Sequence, residues 1–529
     1  MKPLRVGFAT LYAWRPHVEH LHFLAELTRR ASHETFFLTC DADLPTCYTR
    51  EMRERSAWLE CLTCRAGGVR SYETQGVDSI GTLADASAGG DGAVAPPDWA
   101  SSSASTLGRF ESDADYASAD YATLVERLQP SVQRAYRAAR AWIGKRQLDA
   151  VCIFNGRMDI TRAVFEAARS LGVRVVSLER PWFSHGLQLY PDETCLGLRN
   201  VHRMVGAWRD RPLQREQALR AASYVAQRFL RRNQNEWRAY NVDARPTDWP
   251  VAEAGRRILL IPSSRNEVWG HPDWAAGWAE PLQAYDALID HHGWRPEDLV
   301  LRCHPNWAET IGKQGGGKSE RYYAEWAARR GIRCIAAADT SSTSALIAHS
   351  EAIVVANGSA AFEAGMLGKQ VIAISPSIYQ EAGFRDAVTA PSDLPSLRLD
   401  ADRSDAERAA VAEQRRRMTL RFGYTINHRL PQYVREVRAE STTRLRYDLN
   451  ADPARWIDLL RTGELRADDE ASASDATEED EVLARVRAGD WEAILAALAP
   501  PLQAHGRLLR RPVFQWIDTA RPWMKVGDR

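Results

Sequence analysis

Two short runs hold the residue types that grip an anion. His304-Pro305-Asn306 follows the apolar Val300-Leu301, and Asn357-Gly358-Ser359 follows Ile353-Val354-Val355 and leads into a helix start carrying Glu363. Backbone N–H groups at such a start, together with the helix dipole, favour a phosphate. His304 adds a donor there, or a positive charge where its pKa is raised. A further apolar run, Ile258 to Ile261, ends in Ser263-Ser264-Arg265-Asn266-Glu267. In an open parallel sheet, ligands sit outside the carboxyl ends of the strands, so polar residues at these ends face one crevice.

The first half of the chain ends its apolar runs differently. Ala150 to Phe154 leads into Asn155-Gly156-Arg157-Met158-Asp159, and Val173 to Leu178 leads into Glu179-Arg180. Carboxylates at strand ends are candidates for acid–base work, with ion pairing to Arg157 or Arg180 as the structural alternative. His17 and His20 follow the first strand-like run, Leu4 to Leu11; His17 falls where a cleft would open, while His20 reads as helix decoration. Cys40, Cys47, Cys61 and Cys64 lie within one short segment, the last two spaced as in a metal knuckle. Four thiolates so placed can hold a structural zinc, and reduced, half-buried thiols are the other reading.

These groups need a scaffold of alternating strands and helices. The order of strand, helix and strand in Leu4–Thr39 announces an α/β domain with a parallel sheet, and the same logic restarts at Arg257. The expected organisation is an N-terminal domain over 1–245, holding the cysteine cluster at 40–64 and a flexible insertion at 81–115, then a C-terminal domain over 256–400. Helices over 401–465, around Ala406–Arg417 and Val434–Glu440, would pack back across the domains. The insertion is expected because its Ala, Ser, Gly and Asp cannot bury enough surface to offset ordering entropy. A long basic helix, Ala218 to Tyr240, would bridge the halves. The Asp- and Glu-dense 466–480 reads as a disordered acidic linker, and 481–529 as a helical tail whose Arg507–Trp516 mixes basic and aromatic residues. Such a tail can rest on an anionic membrane, although docking on its own protein is the reading preferred.

At 529 residues the chain exceeds one ordinary core. Lys plus Arg and Asp plus Glu both number 69, so charge points to no nucleic-acid partner. Eight cysteines and no secretory apolar region behind Met1 fit a reducing cytoplasm, and no run of eighteen apolar residues suggests a spanning helix.

Taken together, Val300–Asn306, Ser341–Ile347, Asn357–Ile374 and Tyr379 resemble the bacterial capsule polysaccharide biosynthesis family of β-Kdo glycosyltransferases, and Phe154–Arg157 with the strand ending in Glu179 resembles its N-terminal half. The similarity covers roughly Leu148 to Phe384 in pieces. It implies a GT-B-like fold: two Rossmann-like domains facing a cleft, with a C-terminal helical extension. It places the nucleotide-sugar donor on the C-terminal domain and a glycan or glycolipid acceptor on the N-terminal one. No metal or other cofactor is implied at the chemical step. Arg180-Pro181-Trp182-Phe183-Ser184-His185 departs from the family's segment after the glutamate.

Glycosyl transfer needs a base for the acceptor hydroxyl and stabilisation of the departing phosphate. On this resemblance, His304, Gly358, Ser359, Ser263, Ser264 and Ser342 hold the phosphate, with Pro305, Asn306, Arg265 and Asn357 beside them. Glu363 accepts from a ribose hydroxyl or caps its helix. Glu179 or Asp159 is the base, with Glu267 a third candidate; His17, Asn155, Arg157 and His185 line the acceptor side. A cytidine monophosphate-linked Kdo-like donor is the family's suggestion. Two other classes use similar features: a sugar-nucleotide epimerase or polyol-phosphate transferase of the same fold, and a non-catalytic sugar- or nucleotide-binding partner of an assembly complex.

Overall fold

The computed structural model describes residues 2–53, 55–86, 92–183, 185–233, 236, 239–498 and 506–520. Outside them fall 87–91 of the expected insertion, Ser184 of the departing segment, four positions of the expected bridge helix, and 499–505 and 521–529 of the tail.

Two six-stranded sheets organise the chain. The first comprises β1 (Arg5–Thr10), β2 (Glu34–Thr39), β3 (Val77–Ser79), β4 (Ala150–Phe154), β5 (Arg174–Glu179) and β6 (Gln188–Pro191), in the order β3-β2-β1-β4-β5-β6. Every pairing is parallel except β5 with β6. The second sheet begins with β7 (Ile258–Ile261) and β8 (Leu299–Arg302), and a small hairpin, β9 (Thr310–Ile311) with β10 (Gln314–Gly315), follows. It continues with β11 (Arg333–Ile335), β12 (Ala352–Val355), β13 (Gln370–Ala373) and β14 (Asp386–Ala387), in the all-parallel order β11-β8-β7-β12-β13-β14. Both orders reverse beside the founding strand, which is the Rossmann topology, and the reversal opens a crevice at β1/β4 and another at β7/β12. Two Rossmann-like sheets in one chain agree with the GT-B-like fold that the resemblance implies.

The strands are apolar runs because both sheet faces are covered: Ala150–Phe154, Ile258–Ile261 and Ala352–Val355 are buried at every position. Gly7 in β1 is required by packing, since a Cβ there would meet Trp142 at 2.5 Å and Leu148 at 2.6 Å. Trp142 belongs to the helix Ala119–Arg146, which lies directly on the strand. One buried apolar cluster runs from Val6, Phe8 and Cys152 through Ala221, Ala222 and Phe422 to Leu259 and Val355, so the domains share a continuous core. Its middle is built from the helices Arg215–Phe229 and Asp405–Tyr424.

Three expectations are corrected. The stretch 81–115 is not a flexible insertion. Its described residues form the helix Ser101–Gly108 and a capped turn at Ser112–Tyr116, with Ser103, Ser105, Ala104 and Glu111 fully buried. Small residues here allow close packing instead of mobility. The acidic 466–480 is not a free linker. Asp468 accepts from Tyr433 N at 2.7 Å and Val434 N at 3.2 Å, and Glu479 is fully buried against Arg421, with both oxygens at 2.8 Å from its guanidinium. Arginines elsewhere in the chain supply the counter-charge that local composition lacks. Finally, Val434–Glu440 is not helical: Val437–Ala439 is β15, paired antiparallel with β16 (Leu445–Tyr447). The bridge helix ends at Phe229, and the helix from Asp405 runs on to Tyr424.

After β16 the chain returns to the first domain. Trp456 Nε1 donates to Thr28 Oγ1 at 2.8 Å, and the Tyr447 hydroxyl lies 3.1 Å from His20 Nδ1. Among the described residues, no helix is long and apolar enough to cross a membrane.

Candidate functional site

At the first crevice β4 ends in a backbone reversal. Asn155 and Gly156 both take positive φ, +65° and +71°, which turns the chain sharply over the sheet. Asn155 is not glycine, and its left-handed conformation is held by the Leu178 and Cys195 backbones. Its amide donates to Glu179 Oε2 at 3.1 Å. Glu179 Oε1 accepts from Arg180 N at 2.9 Å and lies 3.4 Å from His17 Nε2. The His17 ring stacks on Phe154 at 4.0 Å, so the last residue of β4 fixes the plane of the imidazole. Glu179 keeps a quarter of its side chain exposed. Burial raises its pKa, against the pull of Arg180, Asn155 and Arg157. Burial holds His17 well below its ordinary value, with Arg180 and His20 pushing the same way, so the imidazole is neutral. A carboxylate with raised basicity, positioned by an amide and a neutral imidazole, is equipped to accept a proton from a hydroxyl.

Asp159 sits differently. It is fully buried, one oxygen held by the Tyr12 hydroxyl and the other by Tyr48 N at 2.9 Å, while its own N–H donates to Ser103 Oγ at 2.8 Å. It ties β1, the helix starting at Tyr48 and the Ser101–Gly108 helix together, and no oxygen is left for a substrate. Arg157 extends to Ser102 Oγ at 2.6 Å and Thr106 Oγ1 at 3.3 Å. His185 lies away from the crevice: its Nδ1 accepts from Ala439 N at 3.1 Å, and burial lowers its pKa to about 3.

At the second crevice Ser263, just after β7, meets Asn357, just after β12: Asn357 N approaches Ser263 Oγ at 3.5 Å. A Cβ on Gly358 would sit 3.4 Å from the same hydroxyl. His304 Nδ1 accepts from Asn306 N at 3.2 Å, which leaves Nε2 to carry the proton of the neutral ring, and the ring meets Tyr240 edge-on at 5.8 Å. Burial lowers the His304 pKa, only partly offset by Glu267 and Asn306, so the histidine is a neutral hydrogen-bonding group and not the cation the sequence allowed for. Pro305 opens the short helical turn Pro305–Ala308. Ser264 accepts from Trp307 Nε1 at 2.8 Å, and Ser342 caps the helix Thr343–His349 by accepting from Ala345 N at 3.2 Å. Glu363 neither faces a ligand freely nor caps its helix. Arg228 Nη1 stands 3.0 Å from one of its oxygens and 3.3 Å from Ser359 Oγ, and Ser344 donates to the other oxygen at 2.5 Å. Arg228 is itself shared with Glu236 at 2.8 Å. Exposed Glu267 is near enough for its charge to act on both His304 and Tyr48, which puts it between the two walls.

The residues missed by sequence reasoning come from the stretch read as mobile. Arg109 donates to the carbonyls of Asn306 at 2.9 Å and Glu309 at 2.8 Å. Ser105 donates to the Asn266 carbonyl at 3.1 Å. The Glu111 carboxylate accepts from Arg265 N at 3.2 Å, Ser319 Oγ at 2.9 Å and Tyr323 OH at 3.2 Å. Tyr116 stacks on Trp269 at 3.4 Å, and the Arg265 guanidinium lies over both rings while pairing with Asp113 at 2.6 Å. One segment of the first domain therefore holds the loops after β7 and β8 of the second. The visible signal was the capping pair Ser112 and Asp115 with aromatic residues around it, which composition alone conceals.

The four cysteines open on one cavity of about 40 Å³ at the ends of β1 and β2, together with Tyr12, Asp41 and Glu60. They do not form the zinc knuckle considered from their spacing: among the described residues no three His, Cys, Asp or Glu side chains are grouped to hold a metal. Cys61 and Cys64 sit on a helix, Ala57–Gly67, whereas a knuckle needs a tight turn. Burial raises Cys40 and Cys47 and pushes Cys64 up to about 12, so these are neutral thiols.

No family model and no curated protein matches this sequence. Solved structures similar to it include a β-Kdo 2,4 transferase, KpsC from Thermosulfurimonas dismutans, at 16% identity over 50% of this chain and 79% of that one, with a TM-score of 0.33. A putative UDP-N-acetylglucosamine 2-epimerase from Listeria monocytogenes is 13% identical over 81% and 95% of the two chains, with a TM-score of 0.27. The glycosyltransferase SnogD from Streptomyces nogalater is 14% identical over 79% and 95%, with a TM-score of 0.22. The β-Kdo transferases of the sequence resemblance are thus among the proteins to which the chain is similar. At these values the similarity says nothing about ligand or reaction.

Proposed function

We propose that the chain is a glycosyltransferase that moves a sugar from a nucleotide-activated donor, CMP-Kdo-like in chemistry, to a surface glycan or glycolipid, without a metal at the chemical step. The observation that carries the reading is the division of labour between two Rossmann crevices. Glu179 with His17 stands at the end of β4/β5, and Ser263, His304 and Asn357–Ser359 stand at the ends of β7, β8 and β12. In this reading Glu179 takes the acceptor hydroxyl proton as the oxygen attacks the anomeric carbon, and the bond to the nucleotide phosphate breaks. His17 and Asn155 hold the carboxylate in place. The departing phosphate is met by the N–H groups of Gly358 and Ser359, the Ser263 hydroxyl and neutral His304, which donates from the nitrogen not engaged by Asn306. Arg228 reaches the crevice by donating to Ser359 Oγ, its own charge already balanced by Glu236 and Glu363. Glu267 remains a second carboxylate facing the cleft. A donor of this kind is a cytoplasmic metabolite, so the enzyme would work on that side of the membrane.

The test is product analysis with CMP-Kdo and a Kdo-primed glycolipid acceptor in the presence of a chelator. Acceptor-dependent release of CMP with extension of the acceptor supports the reading. Isomerised donor without acceptor, or nucleotide binding with no release, overturns it in favour of an epimerase or a binding protein. Across a wider panel of nucleotides, a ligand at about a hundred times its Kd should stabilise the protein by about 2.7 kcal/mol.

A further inference from the structure

The helix Ala57–Gly67 is built inside out. Its single acidic residue, Glu60, is 2% exposed and paired with Arg53 at 2.7 Å, while Trp58 and Leu62, one turn apart, are 69% and 55% exposed. A surface helix ordinarily buries its apolar stripe and turns its charges outward. A second apolar element meets this one. At the tail, Arg511 N donates to Ser71 O at 2.8 Å, Arg511 Nε to Tyr72 O at 3.0 Å, and Arg510 binds Ser71 Oγ and the Ala66 carbonyl. The helix Pro512–Ala520 thus starts from the junction where Ala57–Gly67 ends, and it presents Val513 and Trp516 at 63% and 71% exposure. Of the eleven large hydrophobic side chains exposed among the described residues, five lie on these two helices, Trp58, Leu59, Leu62, Val513 and Trp516, and a sixth, Leu509, just ahead of the second. That is clustering, not the scatter expected of an ordinary surface.

The exposed charge around them is mostly basic, with exposed Glu73 as the acidic exception among the described side chains. Arg55, Arg65 and Arg511 are exposed and join no ion pair among the described residues, whereas the nearby Arg53 and Arg70 are neutralised by Glu60 and Asp41. Tryptophan and leucine beside exposed arginines match the boundary of an anionic bilayer, where indoles and acyl-facing leucines leave water and guanidinium groups meet phosphate. We infer that this end of the first domain is a docking surface for an anionic phospholipid membrane, formed jointly by Trp58 and Leu62 on one helix and Leu509, Val513 and Trp516 on the tail. The arginines add electrostatic attraction to such a surface, so binding is sensitive to salt as well as to lipid charge. The inference stands on surface chemistry and does not depend on the transferase reading.

The test is sedimentation of the full chain with phosphatidylcholine vesicles with and without phosphatidylglycerol. Expected is co-sedimentation only with the anionic vesicles, weakened by salt, with a blue shift of tryptophan emission. Trp58→Ser with Leu62→Ser, and separately Trp516→Ser, should each lower the partition coefficient roughly tenfold or more. Their melting temperature should not change, because these side chains already face water. No sedimentation, equal binding to neutral vesicles, or unchanged binding by both variants overturns the inference. So does a dimer in light scattering that the same substitutions dissociate, which would assign the patch to a second copy of the chain.

Discussion

Glu179 Oε1 stands 3.4 Å from His17 Nε2, joining the end of β5 to the first turn after β1 across the width of the intervening β4. The pair was two separate candidates in the sequence; in the fold it is one unit, with Asn155 as its third member. Asp159, the other carboxylate of the same region, belongs to the core.

The first prediction separates these two acids. Glu179→Gln should reduce transfer on the true acceptor by about a hundred- to ten-thousand-fold while leaving the melting temperature nearly unchanged. Asp159→Asn should do the reverse, lowering stability with a smaller effect on chemistry, because the Tyr12 and Tyr48 donors lose a charged acceptor. Parallel turnover and denaturation curves decide it. Near-normal turnover in Glu179→Gln would remove the base assignment and leave exposed Glu267 as the carboxylate to test.

A pH profile offers an independent check. Since burial raises the Glu179 pKa, the acidic limb of kcat/KM should fall above the ordinary carboxylate range, with activity lost as pH drops through it. In Glu179→Gln that limb should vanish from whatever residual rate remains. A limb that persists in the variant assigns it to another group.

Arg228 is caught between Glu236 and Glu363, with all three side chains nearly buried. Arg228→Ala leaves two carboxylates without their cation, and a loss of about 3–5 kcal/mol is expected. Arg228→Ala together with Glu363→Gln should recover part of it, since one of the orphaned charges is then removed. Denaturant midpoints of the single and double variants measure both.

Glu111 gives a stability signature with a defined sign. Burial pushes its pKa up to about 7, despite the stabilising donors Ser319, Arg265 N and Tyr323. A carboxyl that holds its proton more tightly when folded contributes most below its unfolded pKa, and that contribution is lost as pH rises through about 7. Relative to Glu111→Gln, the native protein should therefore lose stability between about pH 4.5 and 7, by an amount on the order of 3 kcal/mol. Melting curves of the two proteins across that range should converge or cross. A constant difference would mean that Glu111 is ionised throughout.

Arg109 tests whether the first domain shapes the second crevice. Arg109→Ala removes the donors to the Asn306 and Glu309 carbonyls, so nucleotide affinity should weaken about tenfold as the loop after β8 loosens, corresponding to about 1.4 kcal/mol. Titration of nucleotide into both proteins measures it, and equal affinities would show that the loop holds itself.

What the amino-acid order determined was local and periodic. Apolar runs of strand length, each followed by polar residues, were enough to read two α/β units and to name Ser263, His304, Asn357 and Glu179 as strand-end residues, because a parallel sheet buried on both faces admits almost nothing but such runs. Composition, by contrast, misread 81–115 and 466–480. Serine, alanine and aspartate look like poor core formers, yet Ser103, Ser105 and Glu479 are fully buried, their hydrogen bonds completed by residues more than fifty positions away. No local rule reports a distant donor. The same holds for the chemistry. Whether Asp159 or Glu179 keeps a free oxygen, whether His304 is charged, and whether four cysteines converge on a metal all depend on burial and on partners brought together only by the sheet order. Tertiary structure made those choices because desolvation and hydrogen bonding act over a few ångströms of space, whatever the distance along the chain.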